Sequence, residues 1–383
     1  MFPNSADMRN VCYITGTRAD FGLMEAVLRA ISSDSHLSLS LLVTGMHLSP
    51  QFGETVNEVR QTGLFIAGTV PVPLEPATGA TMAKNIGRMV GEFTNLLEKI
   101  RPHILLLLGD RGEMLAGAIA AIHLNIPVAH VHGGERSGTV DEPVRHAISK
   151  LSHVHFTSTD ESRQRLIRMG ELEANVHFSG APGLDGICDV KLVSKNELLA
   201  KYGLVPDRPF VLLVYHPVLQ EADQSEQQML EILSALLECD HQILALMPNS
   251  DAGSAGVRRA LASVQRKEGV SIATHLSRPE FLSAMACAAA LVGNSSSAII
   301  EAASFGIPVV NIGSRQNLRE RNCNTLDADN NIDAIREAIY VALRLPRFEI
   351  RNVYGDGNAA TRIVAVLREM SITASLLKKV NSY

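Results

Sequence analysis

The chain has 383 residues, 46% of them apolar and 20% charged, with a net charge of −5. That length accommodates about two domains of roughly 150 residues each, with enough apolar material for two cores. Collagen, coiled-coil, disordered, disulfide-framework and membrane-bundle readings of the whole chain are excluded, and a net negative chain has no field to draw nucleic acid or anionic lipid.

Met1 to Asn10 is polar and lacks the apolar core of a secretory signal. No run approaches the roughly 18 apolar residues of a membrane helix. The five cysteines (Cys12, Cys188, Cys239, Cys287, Cys323) are scattered, odd in number and without metal-ligand spacing. They read as thiols of a reducing compartment, so a cytoplasmic location is expected.

Unbroken apolar runs predict buried parallel strands at 11–15, 37–44, 103–108, 128–132 and 154–158. A second series follows at 210–216, 242–247, 291–294 and 308–312. Between them, Met24, Val27, Leu28 and Ile31 recur at helical spacing, as do Leu115, Ala118, Ile119 and Ile122, and Val144, Ala147, Ile148 and Leu151. Strand then helix, repeated, predicts an α/β fold with right-handed crossovers. The pattern pauses over 185–206, which places a boundary between domains 1–190 and 191–383. In such sheets ligands bind beyond the carboxyl ends of the strands, near helix N-termini.

The chemistry-bearing clusters fall at those positions. Thr15-Gly16-Thr17-Arg18-Ala19-Asp20 follows the first strand. It has neither dinucleotide-fingerprint nor P-loop spacing, but Arg18 at a helix start suits a phosphate. Thr44-Gly45-Met46-His47 ends the second strand. Gly109-Asp110-Arg111 ends the third, where Asp110 suits an N-cap as well as chemistry. The densest cluster is His130-Val131-His132-Gly133-Gly134-Glu135 with Asp141, Glu142, Arg145 and His146. Strand alternation predicts His130 and His132 on one side. The spacing is a weak metal signature, and converging titratable groups fit acid–base work on a bound sugar better. No metal and no cofactor are expected.

The second half adds His216 after a strand and Asn249 with Asp251 after the next. Asn294-Ser295-Ser296-Ser297 leads into a helix carrying Glu301, and Arg315 follows a further strand. Hydroxyls at a helix start, with an arginine nearby, suit a diphosphate. With 4% aromatics and no Trp, a sugar here is held by hydrogen bonds and charge rather than stacking.

These motifs together resemble the UDP-N-acetylglucosamine 2-epimerase family, and within it the hydrolysing branch. Thr-Gly-Thr-Arg-Ala-Asp (15–20), Val-Thr-Gly-Met-His (43–47), Gly-Asp-Arg (109–111), Gly-Gly-Glu (133–135) and Ser-Gly-Thr-Val-Asp-Glu (137–142) are similar to it. So are the stretch 145–153, His-Pro-Val (216–218), Gly-Asn-Ser-Ser (293–296), Gly-Ser-Arg-Gln (313–316) and Tyr-Gly-Asp-Gly-Asn (354–358). The resemblance covers nearly the whole chain. It implies a GT-B-like plan, two Rossmann-like doubly wound domains with the active site between them, and a C-terminal helix that crosses back to the first.

The resemblance further implies acid–base positions at Asp110, His132 and Asp141, with Glu135 in reserve and His216 near the leaving phosphate. Ser295, Ser296, Glu301 and Arg315 would hold UDP, helped by Arg18 and Asp20 from the first domain. His47, Arg111, Arg145, His146, Asn249, Asp251 and Asn294 complete the candidate binding set. Two positions depart from the family: His132 stands where many relatives have Glu, and Ile300 where some have Arg.

The expected reaction is elimination of UDP to a 2-acetamidoglucal, then hydration with inversion at C2. UDP-N-acetylglucosamine is the expected substrate, giving N-acetylmannosamine. The alternative is UDP-2,4-diacetamido-2,4,6-trideoxyglucose (UDP-N,N'-diacetylbacillosamine), although the sequence identifies none of the residues that would face its C6. A non-hydrolysing epimerase, a GT-B glycosyltransferase and a non-catalytic UDP-sugar sensor are the rival functions. The expected partners are the UDP-sugar and further copies of the chain, as a dimer or tetramer, with no nucleic acid and no membrane.

Overall fold

A computed structural model describes residues 8–187, 190–349 and 351–383. Cys188 and part of the 185–206 pause lie outside them. The first sheet is formed by β1 (Arg9–Thr15), β2 (Leu37–Thr44), β3 (Ile66–Val70), β4 (Ile104–Leu108), β5 (Val128–Val131), β6 (Val154–Thr157) and β7 (Val176–Phe178), all parallel, in the order β3-β2-β1-β4-β5-β6-β7. The second is formed by β8 (Phe210–Val214), β9 (Gln242–Leu246), β10 (Val270–Ala273), β11 (Ala290–Gly293), β12 (Val309–Ile312) and β13 (Thr325–Ala328). It is also parallel, in the order β10-β9-β8-β11-β12-β13. These are two Rossmann-like α/β units in a GT-B-like arrangement.

Each sheet is buried on both faces, which is why its central strands are mostly apolar. Val11, Tyr13, Leu106 and Val131 pack on one face of the first sheet, and Cys12, Ile14, Leu105 and Leu107 on the other. The second sheet divides in the same way, with Leu212 and Leu291 against one cluster and Val211 and Val292 against the other.

The chain leaves the first unit at Gly180–Ala181 and returns beside that exit at Tyr354–Gly355. The Ala181 amide donates to the Tyr354 carbonyl at 2.7 Å. Gly355 has φ +134, and a Cβ there would come within 3.1 Å of the Gly180 Cα, so only glycine lets the two crossings lie this close. After the return, the Ala359–Glu369 helix gives Ala359, Ile363 and Leu367 to the first unit's core. Among the described residues no helix is long and apolar enough to cross a membrane.

In both sheets strand order reverses at the first strand, between β1 and β4 and between β8 and β11. Chains leaving either side of such a switch point diverge and leave a crevice at the carboxyl ends. Here the two crevices face the same space.

Candidate active site

A cavity of 570 Å³ lies between the carboxyl ends of the two sheets. Loops after β1, β4 and β5 wall it on one side, and loops after β8, β9, β11 and β12 on the other.

On the first side, Asp110 follows β4. It does not cap the helix that comes next. Its carboxylate instead meets the guanidinium of Arg145, a side chain 1% exposed, which also donates to the Glu135 carbonyl at 3.1 Å and Ser137 Oγ at 3.2 Å. Asp141 begins the Asp141–Leu151 helix that carries Arg145. A carboxylate is favoured at that end, where backbone N–H groups are unpaired.

Strand alternation fails at the end of β5. His132 has φ +63, which breaks the strand's alternation, and the two rings take different partners. His130 is wholly buried, with Nε2 2.7 Å from the Gly109 carbonyl oxygen and Nδ1 3.0 Å from Ser149 Oγ. His132 lines the cavity. Its Nδ1 is 2.6 Å from Glu135 Oε1, and its buried Nε2 has no partner among the described residues. Burial, reinforced by the Arg319 guanidinium, pushes the His132 pKa far down, so the ring is neutral at pH 7. Glu135 sits behind this wall, held by Ser158 and Arg319, and does not line the cavity.

On the second side, the His216 amide donates to Asn294 Oδ1 and the Asn294 side-chain amide donates back to the His216 carbonyl, both at 2.8 Å. Asn294 therefore fixes His216 and is not itself on the cavity surface. The His216 Nδ1 accepts the Asn249 amide at 3.4 Å. Burial, then the cations of Arg315 and Arg111, push its pKa down to about 3 against the pull of Asp251.

Gly293 makes the next turn at φ +135. A Cβ there would come within 2.1 Å of the Val214 carbonyl oxygen, so the serine loop starts hard against β8. Ser295 caps the short helix through the Ser297 amide, and Ser295, Ser296 and Ser297 all line the cavity. Glu301 is 2% exposed and paired with Arg278 at 2.5 Å. Arg315 reaches across to Asp141 at 3.4 Å, and Arg111 crosses the other way to Asp251 at 3.7 Å.

The remaining candidates divide. Arg18 lines the cavity. Burial, opposed by Glu58 and reinforced by Arg278, lowers its pKa to about 10, which leaves it a cation at neutral pH. Asp20 borders the cavity, but its carboxylate is occupied. It takes the Gly16 amide at 3.1 Å, the Thr17 amide at 2.7 Å and the Thr17 hydroxyl at 2.9 Å, and completes a capping box. His47 is buried beneath the floor, its ring between Thr15 Oγ1 at 2.9 Å and Thr55 Oγ1 at 2.8 Å. His146 faces Glu142 at 3.7 Å, away from the cavity. Asn249 and Asp251 both line it. Among the described residues, no three His, Cys, Asp or Glu side chains are grouped to hold a metal ion.

A family model described as UDP-N-acetylglucosamine 2-epimerase matches residues 29–368. The chain belongs to that family. It is 49% identical over 376 residues to a UDP-N,N'-diacetylbacillosamine 2-epimerase (hydrolyzing) of Legionella pneumophila, covering 98% of this chain and 100% of the relative. It is 33% identical to a UDP-N-acetylglucosamine 2-epimerase of Neisseria meningitidis, covering 92% of this chain and 93% of that one. The crystal structure of UDP-GlcNAc 2-epimerase from Neisseria meningitidis bound to UDP-GlcNAc superposes with a TM-score of 0.79. It shares 20% identity and covers 94% of this chain and 99% of that one.

Several cavity residues of this epimerase-family chain carry no motif signal. Arg278 heads a helix whose start is closed by a capping box of Ser277 and Glu280. Arg319 is buried, its charge spent on Glu135. The segment 72–86 reaches the cavity through Val72, Leu74, Met82 and Ile86, side chains that in sequence are indistinguishable from core.

Proposed function

We propose that the chain is a hydrolysing UDP-N,N'-diacetylbacillosamine 2-epimerase, converting that UDP-sugar and water to UDP and 2,4-diacetamido-2,4,6-trideoxymannose. The observation that carries this reading is the 49% identity, end to end, with the Legionella pneumophila enzyme of that name. It reverses the ranking of substrates that motifs alone suggested. UDP-N-acetylglucosamine is the second reading, favoured by the more distant Neisseria meningitidis relative.

The chemistry follows from the substrate. A C2 proton beside an N-acetyl group is not acidic until positive charge builds at C1. Breaking the C1–O bond supplies that charge, so a base takes the C2 proton as UDP departs, leaving a C1=C2 double bond. Water then adds its oxygen at C1, and an acid returns a proton to C2 from the opposite face. Both steps need proton carriers beside C1 and C2 and cations beside the diphosphate.

Asp110, Asp141 and neutral His132 are the carriers in this reading, and Glu135 orients His132 from behind. Arg315, Arg18 and the serine hydroxyls take the diphosphate. The His216 Nδ1 is occupied as an acceptor, so its N–H sits on Nε2 and can hydrogen-bond to the departing phosphate. Arg315 would exchange Asp141 for the diphosphate when substrate enters, which frees the Asp141 carboxylate as the reaction begins.

The test is incubation with each UDP-sugar in ¹⁸O-labelled water, with products read by mass spectrometry. The expected outcome is free UDP and a C1-labelled manno sugar, formed faster from the diacetamido substrate. Retention of UDP on the sugar would assign the non-hydrolysing reaction. Release of UDP only on addition of an acceptor would assign a glycosyltransferase.

A further inference from the structure

Beside the acid–base residues, the first-unit wall of the cavity carries an apolar stretch. Met82 and Ile86 lie one turn apart on the Gly79–Ile100 helix, and both line the cavity. Ile86 rests on Gly112, where a Cβ would come within 2.9 Å of its Cγ1, two residues from Asp110. Val144 lines the cavity from the helix turn that starts at Asp141. Ile86 and Val144 both pack back onto the core cluster that holds Met89 and Met114, so the wall is rigidly backed. Leu219 closes it from the second unit, its Cδ1 3.3 Å from where a Gly79 Cβ would be. The polar neighbour Asn85 is already committed, donating its side-chain amide to the Pro73 carbonyl at 2.6 Å.

We propose that Met82, Ile86, Val144 and Leu219 select the sugar at its C6 end, accepting a C6 methyl where a hydroxyl would meet four side chains that offer it no hydrogen bond. This rests on the UDP-sugar reading of the same cavity. A pyranose bound through its C1 diphosphate, with C2 beside Asp110 and His132, has one edge left over. C4 lies across the ring from C1, and C6 hangs from C5, so that edge points away from the arginines and onto this wall. A C6 hydroxyl resting on these four side chains would give up water and gain no donor or acceptor from them. An apolar pocket of this kind rejects an added hydroxyl by about tenfold to a hundredfold.

The experiment compares kcat/KM for UDP-N,N'-diacetylbacillosamine and UDP-N-acetylglucosamine in the wild type, Met82→Gln and Val144→Thr. Both substitutions keep side-chain volume near the original, and the second covers the case where the first does not fold. The wild type is expected to favour the diacetamido sugar by at least about tenfold. Each variant narrows that ratio by about tenfold through a higher KM for the diacetamido sugar, with inhibition by UDP unchanged. A ratio that stays constant while both substrates lose activity together overturns the wall's role but leaves the proposed reaction standing. A wild type that releases UDP from neither sugar overturns the proposed reaction, and the wall's role with it.

Discussion

The two sides of the cavity hold charge in opposite ways. The first unit presents carboxylates and a neutral imidazole, two of them tied into buried partners: Asp110 to Arg145, and His132 to Glu135. The second presents hydroxyls, together with an arginine held by the Asn294 carbonyl at 3.1 Å and by Asp141 from the opposite wall. Proton transfer needs groups whose position and protonation are set in advance, because a misplaced base loses rate steeply. Anion binding needs charge that can be handed from one partner to another, because the ligand brings its own. The difference between the walls is therefore a division of labour between chemistry and grip.

That division is broken most directly at Asp110. Asp110→Asn keeps an acceptor for Arg145 and removes the titratable oxygen. Turnover is expected to fall by about 10³-fold, while UDP affinity, measured by calorimetry, stays within about threefold. Full activity in this variant would falsify the first wall's role. Arg315→Ala probes the other side, where the expected loss is smaller and of a different kind. UDP affinity and kcat/KM fall together by about tenfold to a hundredfold, since a charge-assisted contact to phosphate is worth about 1.5–3 kcal/mol. A loss confined to kcat, with UDP binding intact, would move Arg315 into the proton chemistry.

The sequence was unequally legible, and the pattern of misses is physical. The strands it disclosed are the inner ones, buried on both faces and mostly apolar. The four it did not disclose, β3, β7, β10 and β13, are the outer edges of the two sheets. Ile66–Val70 and Thr325–Ala328 are mostly half-exposed, so no unbroken apolar run announces them. The site followed a similar rule. Motif residues at strand ends, such as Asp110, Ser295 and Arg315, do reach the cavity. Asp20, His47, Glu135 and Asn294 share those motifs but turn inward, into a capping box, a threonine clasp and two scaffolding pairs. Adjacency in a motif does not say which neighbour faces the ligand. The apolar wall was invisible for the converse reason, since Ile86 and Val144 differ from core residues only in having one open side.

The histidines give the comparison a thermodynamic form, with a smaller effect. Burial lowers the pKa of His47 to about 4, His130 to about 3 and His153 to about 4 in the first unit, while the second unit contributes His216 at about 3. An unfolded histidine titrates near 6.5. Below that pH the unfolded chain takes up protons that these folded sites refuse, so stability is intact above about pH 6.5 and declines as pH falls toward the folded values. Most of that acid sensitivity belongs to the first unit. His130, like His47, has no exposed surface and both ring nitrogens in contact. His130→Asn should lower stability at pH 7.5. It should also remove up to about 1.4 kcal/mol per pH unit from the slope of unfolding free energy between pH 6 and 4.5, which is the share of one refused proton. Urea unfolding across that range measures the slope. An unchanged slope would mean that His130 is protonated in the folded protein, and that the floor beneath Asp110 carries a charge that its contacts with Gly109 and Ser149 do not suggest.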